Sequence, residues 1–201
     1  SADYQARREA ILDFNRQGGV IRKGIALTPV KFGISFTATW FNQAGALLHV
    51  YKDGSIHLNH GGTEMGQGLF TKVAQIVADC FQVDLDRIRV SATSTEKVPN
   101  TSATAASSGS ELNGMAAQNA AGQIKQRLVD FASEKWSVPA EEVLFEAGGV
   151  RVGSETMPFD ALIAEAYMAG VHLSAAGFYN TPDIHWDREA VKGRPFYYFA
   201  Y

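Results

Sequence analysis

The sequence predicts an α+β fold in which mixed sheets carry helices packed on one face, a two-layer sandwich. Three observations lead there. Four segments, 3–17, 69–83, 111–136 and 159–168, space their apolar residues at helical intervals. Shorter runs read as strands, and two of them flank Asp53-Gly54, the strongest local hairpin signal. Strands and helices also intermix without strict βαβ alternation.

Taken in order, residues 3–17 place Ala6, Ala10, Ile11 and Phe14 on one helix face, and Gly18-Gly19 stops them. Residues 20–27 read as a strand, and Pro29 opens a break before Lys31-Phe-Gly-Ile-Ser-Phe-Thr37. That motif mixes aromatics with small polar residues, as binding-site walls often do. The hairpin pairs 45–52 with 55–59, helix 69–83 follows, and then a strand at 87–92. Residues 93–110 have the Ser/Thr/Ala composition of a linker, yet a strand runs in and a long helix runs out. The first half of helix 111–136 carries Gly114, Ala116, Ala117, Ala120, Ala121 and Gly122, which permit tight packing against another element. A hairpin about Gly148-Gly149, helix 159–168, a strand at 171–178 and a well-buried strand at 196–201 complete the chain, with a possible sub-boundary near 137–142. Trp40, Trp136 and Trp186 read as packing.

At 201 residues and 46% hydrophobic, the chain can bury a core as one domain or a close pair. A net charge of −3 with scattered basic residues gives no footprint for nucleic acid. No apolar run approaches the about 20 residues of a membrane helix, and residues 1–17 do not form a signal peptide, so a cytoplasmic location without membrane attachment is expected. The single cysteine, Cys80, excludes an intramolecular disulfide and reads as an inert packing residue. Ser1 opens inside a helix-like segment and Tyr201 closes an aromatic strand, the pattern of a piece of a longer polypeptide.

Two strand–loop–helix junctions carry the candidate chemistry. In the first, His60-Gly-Gly-Thr-Glu-Met-Gly-Gln-Gly68 sets four glycines and Gln67 at the mouth of a helix. In the second, 99–110 supplies Thr104, Ser107 and Ser108, while Ala105 and Ala106 leave the backbone approachable. Helix N-termini offer unpaired N–H donors and partial positive charge to an anion. Neither junction is a Walker or Rossmann fingerprint. Purely structural readings stand beside the functional ones: an ordinary turn at Gly61–Gly68, an N-capping loop at 99–110, helix capping by Glu64, hairpin side chains at His49 and His57. His60 abuts the glycines and is a candidate ligand contact.

These segments resemble the molybdenum-binding portion of the xanthine dehydrogenase and xanthine oxidase family, of a bacterial large-subunit kind. The resemblance rests on Lys31-Phe-Gly-Ile-Ser-Phe-Thr37, Asn42-Gln-Ala-Gly-Ala46, His60-Gly-Gly-Thr-Glu-Met-Gly-Gln-Gly68, Val98-Pro-Asn-Thr-Ser102, Thr104-Ala-Ala-Ser107, Leu112-Asn-Gly114 and Gly177-Phe-Tyr179, in the family's order. It implies a fold of the aldehyde oxidase/xanthine dehydrogenase molybdopterin-binding type. It implies an enzyme that oxidises hypoxanthine to xanthine and xanthine to urate at a molybdenum–molybdopterin cofactor. Electrons would leave through 2Fe-2S clusters and FAD, in other domains or subunits, to NAD or oxygen, within a dimer of heterodimers.

Carried over by position, Met65, Gly66 and Gln67 would contact the pterin, and Ala106 would sit beside molybdenum without ligating it, flanked by Thr104 and Ser107 on the pterin. Phe36 would meet the purine ring, Thr37 would hydrogen-bond to it, and Ala105 would close the substrate pocket, with Phe32 as a further wall. Gly109 departs from the pattern, standing where some relatives carry a pterin-binding serine. The family's general-base glutamate has no counterpart in the context of Glu64, Glu96, Glu111 or Glu142, so no catalytic residue is assigned and isolated residues 1–201 are expected to be inactive. An aldehyde-oxidase-like hydroxylase and a stand-alone phosphate- or nucleotide-binding module are the alternatives.

Overall fold

A computed structural model of the chain describes residues 2–98 and 100–200. Ser1, Pro99 and Tyr201, expected in the first segment, the second loop and the last strand, lie outside the described residues. The chain divides into two compact units, Ser1–Gly33 with Tyr198–Tyr201, and Ile34–Tyr197. Residues 137–142, where a sub-boundary was expected, fall within the second unit.

In the first unit, helix α1 (Tyr4–Arg16) forms where the periodicity placed it, and none of its residues is buried. Residues 20–27 do not form the expected strand: Val20, Ile21 and Leu27 are 103%, 74% and 70% exposed. A run becomes a strand only when a neighbouring strand takes up its N–H and C=O groups; among the described residues none does, and the Asn15 side chain instead pairs with the Lys23 N–H and C=O at 2.9 Å. Strand β1 (Lys31–Ile34) instead pairs with β11 (Tyr197–Ala200). β11 is a correction as well, since a two-stranded ribbon leaves Tyr197 and Tyr198 about half exposed rather than well buried.

The second unit is built on a four-stranded sheet and two helices. Strands β2 (Gln43–Val50) and β3 (Ile56–His60) form the expected hairpin, with Val50 opposite Ile56 and Ala46 opposite His60. Gly54 closes the turn at φ +78°, where a side chain would be strained. Strand β4 (Ile88–Val90) lies parallel to β3, and β8 (Ser174–Asn180) lies antiparallel to β2, giving the order β4-β3-β2-β8. Alternate residues point to opposite faces, so Ala44, Ala46, Leu48 and Val50 share one side with Ile56 and Leu58, and all are buried.

Helices α2 (Leu69–Phe81) and α3 (Gly109–Trp136) pack together, and α3 lies against β2 and β8. The small residues of α3 do what their size suggested, except Gly122, which is exposed with open space around it. Ala116, Ala117, Ala120 and Ala121 are fully buried, and a methyl on Gly177 of β8 would stand 2.0 Å from the Ala116 carbonyl oxygen. Across the other face, Gly114 leaves room for Ile76 of α2. A meander of β5 (Val143–Glu146), β6 (Gly149–Val152) and β7 (Glu155–Met157), then α4 (Phe159–Met168), extends the core through Phe81, Phe145 and Phe159, whose ring centroids are 5.6–6.4 Å apart. Strands β9 (His185–Asp187) and β10 (Lys192–Arg194) form a separate short hairpin. Trp40 is a third correction: it is 66% exposed, not packed. Cys80 is partly buried beneath Lys125, and burial pushes its thiol pKa up.

Candidate functional site

The two junctions converge. β3 delivers the chain into 61–68 and then α2, while the segment after β4 delivers 99–108 into α3. The Thr63 N–H donates to Thr104 Oγ1 at 2.8 Å and joins the loops directly. Gly61 makes this approach possible, because a Cβ there would lie 2.2–2.5 Å from the Thr101 side chain. Gly62 likewise leaves space for Leu69 and Asn113.

Beneath the first loop sits His60, 1% exposed, its Nδ1 accepting the Gly62 N–H at 3.1 Å. Burial lowers its pKa to about 4, so the ring is neutral and its proton belongs on Nε2, which has no hydrogen-bond partner among the described residues. Thr93 Oγ1 donates to the Gly62 carbonyl at 3.1 Å. The glycine turn is therefore gripped from both sides.

The second half of that loop holds itself. Glu64 accepts N–H groups from Gly66 and Gly68 on Oε1 and from Phe70 on Oε2, at 2.8–3.1 Å. These bonds, the Phe70 one foremost, lower its pKa. Glu64 thus caps α2, as the plainer reading of the sequence had it, and fills the positive pole that seemed ready for an anion. Gln67 also folds back, its Oε1 accepting the Met65 N–H at 2.6 Å and its Nε2 donating to the Thr63 carbonyl at 2.8 Å.

At α3 the position is different. Ser108, the residue before the helix, makes no side-chain cap, because its hydroxyl donates to the Ala105 carbonyl. The N–H groups of the first turn have no partner within a helix. Ala106 and Ser107 precede them at φ 54° and 55°, and Ser108 is right-handed. The Ser108 N–H donates to the Ala105 carbonyl at 3.2 Å, so this turn closes on itself just ahead of the helix. A third left-handed residue, Ser35 at φ 124°, donates its N–H to the Ala106 carbonyl at 3.4 Å. Backbone strain thus gathers where the Phe36 turn meets the second loop.

Between the loops lies a hollow of about 450 Å³, lined by Met65, Gln67, Lys72, Thr104, Ala105, Ala106, Ser107 and Ser110, with Leu69 and Gly109. Five of the six residues assigned to the cofactor, and Ala105 from the substrate set, line this one surface; Gly66 lies in the same loop. Phe36 and Thr37 follow Ser35, and Phe36 is partly buried with its ring edge-on to Phe41 at 5.6 Å. Phe32 lies in the other unit and is 42% exposed. His49 and His57 face each other across the β2–β3 ladder, away from the hollow's lining.

The profile of the molybdopterin cofactor-binding domain family matches residues 1–201. The chain belongs to that family. Among curated relatives of this molybdopterin-binding domain, xanthine dehydrogenase/oxidase of Rattus norvegicus is 42% identical over 201 residues, and xanthine dehydrogenase of Oryza sativa subsp. japonica is 44% identical over 201. Each match takes in 100% of this chain but 14% and 13% of those proteins, so the chain spans about one-seventh of their length. Among solved structures, a Cu,Mo-CO dehydrogenase superposes with a TM-score of 0.76 at 18% identity, covering 98% of this chain and 28% of that one. Quinoline 2-oxidoreductase from Pseudomonas putida 86 gives 0.72 at 19%, covering 98% and 29%. The fold is of this molybdenum-hydroxylase type, as the resemblance implied.

The hollow suits an anionic, flat organic cofactor. Small side chains leave space, an uncapped helix start and threonine and serine hydroxyls supply donors, and Lys72 is the sole charged side chain among the described residues lining it. Lys72 was missed in the sequence. The signal was its place one turn into α2, on the side of Leu69, where a helix opens onto a ligand. Asn42 was seen only within a motif, and its role depends on contacts that spacing does not disclose.

Proposed function

We propose that this chain is the cofactor-gripping segment of a molybdenum hydroxylase of the xanthine dehydrogenase type, acting on hypoxanthine and xanthine. The observation that carries the reading is the shared hollow, where Gln67 from one loop and Ala105, Ala106 and Ser107 from the other line a single surface. Identity above 40% to two xanthine dehydrogenases across every residue of the chain supports the substrate class.

Met65, Gly66, Gln67, Thr104 and Ser107 would hold molybdopterin through backbone N–H groups, hydroxyls and one carboxamide, and Ala106 would let the metal end approach closely. When bound, that group supplies the redox chemistry of purine hydroxylation, with 2Fe-2S clusters, FAD and NAD elsewhere in the enzyme receiving the electrons. The chain contributes binding and orientation. Phe36 and Thr37 would form one wall for the purine, the ring contact adding about 0.5–1.5 kcal/mol beyond area burial. Ala105 would close that wall. Glu64 is engaged with the start of α2 through both carboxylate oxygens, so it is not free to act as a base here.

The test uses the full-length enzyme. Gln67→Ala combined with Thr104→Val should cut molybdenum per subunit severalfold and xanthine turnover with it. Wild-type molybdenum content and activity in that variant would overturn the reading.

A further inference from the structure

The Phe36 turn is held by a single buried side chain. Asn42 is 0% exposed and immediately precedes β2. Its Oδ1 accepts the Phe36 N–H at 2.8 Å, while its Nδ2 donates to the Phe36 carbonyl at 3.0 Å and to the Thr39 carbonyl at 3.0 Å. The side-chain amide therefore pairs with one residue's N–H and C=O together, as a neighbouring strand would. Its own backbone is fixed at both ends: the Asn42 N–H donates to the Thr39 carbonyl at 3.1 Å, and its carbonyl accepts from the Thr181 N–H at 3.0 Å. Thr181, itself buried, donates its hydroxyl to Glu111 in the first turn of α3 at 2.7 Å. Phe41, next to Asn42, sets its ring edge-on against that of Phe36. A chain of contacts thus runs from the start of α3, through Thr181 and Asn42, to the backbone of Phe36.

We propose that Asn42 is a positioning residue for substrate affinity, fixing Phe36 and Thr37 in the orientation that meets the aromatic substrate. Every polar atom of its amide is committed to this turn, and the donor–acceptor order cannot be met by a carboxylate or a hydroxyl. A buried residue whose only task was to fill space would be apolar, since an amide buried without partners costs free energy. The Ser35 N–H joins this turn to Ala106, but that bond is long at 3.4 Å, and the cofactor loops are held more tightly by Thr63 to Thr104 and His60 to Gly62, so losing the clip should loosen the substrate wall and leave cofactor binding in place.

The proposal rests on Phe36 being part of the purine wall, and the experiment separates the two. In the full-length enzyme, Asn42→Asp preserves shape but turns an oxygen toward the Phe36 and Thr39 carbonyls; Asn42→Ala removes the clip. Both should raise KM for xanthine about tenfold or more, with molybdenum per subunit unchanged and kcat per loaded centre altered less than threefold. Should Asn42→Ala fail to fold, Asn42→Asp decides alone. An unchanged KM in Asn42→Asp while Phe36→Ala raises KM overturns the clip. An unchanged KM in Phe36→Ala overturns the placing of Phe36 in the purine wall. Loss of molybdenum with unaltered KM in the remaining loaded centres makes Asn42 a general structural residue and also overturns the proposal.

Discussion

Single residues account for most of what this site requires, and His60 shows how. Its ring is buried because β3 turns that position toward the helices, and the same turn presents Nδ1 to the Gly62 N–H. The unfolded chain takes up a proton on such a ring near pH 6.5, the folded chain only near pH 4. Protons therefore favour the unfolded chain across that window. Stability rises as pH climbs from about 4 to 6.5, and this ring's share, about 3 kcal/mol at full effect, is complete above it. Thermal melts of wild type and His60→Phe from pH 4 to 7 check this: the variant's curve should be the flatter, and parallel curves would dispose of the idea. Gly61 makes a second case at this scale. Gly61→Ala drives a methyl into Thr101 and should cost about 1–3 kcal/mol, read from denaturant midpoints. A neutral Gly61→Ala would show that Thr101 moves aside freely.

Among the elements, those with strong periodicity were legible in the sequence, and their ends less so. Helix 159–168 and both hairpins formed where expected, because turn chemistry and apolar spacing agreed at those places. Segment 20–27 failed because strand pairing depends on a neighbour that local sequence does not name. The two loops were legible as loops and as helix starts, but which start stays open was not. Glu64 settled it through three N–H bonds that depend on how the loop bends. Glu64→Ala should speed amide exchange at Gly66, Gly68 and Phe70 while the α3 start is unaffected; equal protection in both proteins would deny Glu64 its capping role. The sheet–helix contact is the stiffest. Gly177→Ala meets the backbone carbonyl of Ala116, which no rotamer change relieves, and should cost about 3 kcal/mol by chemical denaturation.

Across the whole molecule, five of the six cofactor assignments, drawn from two motifs about forty residues apart, line one hollow. Lys72 and Asn42 escaped because the place of the first depends on how α2 meets the second loop, and the contacts of the second on how the 36–42 turn folds back on its side chain. The chain spans about one-seventh of the two xanthine dehydrogenases it matches. Residues 1–201, purified and supplied with cofactor and xanthine, should give no urate, and measurable turnover would refute the assignment of catalysis to residues beyond them. The capping of α2 by its own carboxylate has a directional consequence. With the start of α2 tied up by Glu64 and the start of α3 lacking a side-chain cap, the hollow is lopsided in its unspent backbone donors. A guest with acceptors at one end meets more unspent N–H groups when that end faces α3, so a single folded-back carboxylate biases the heading of whatever docks.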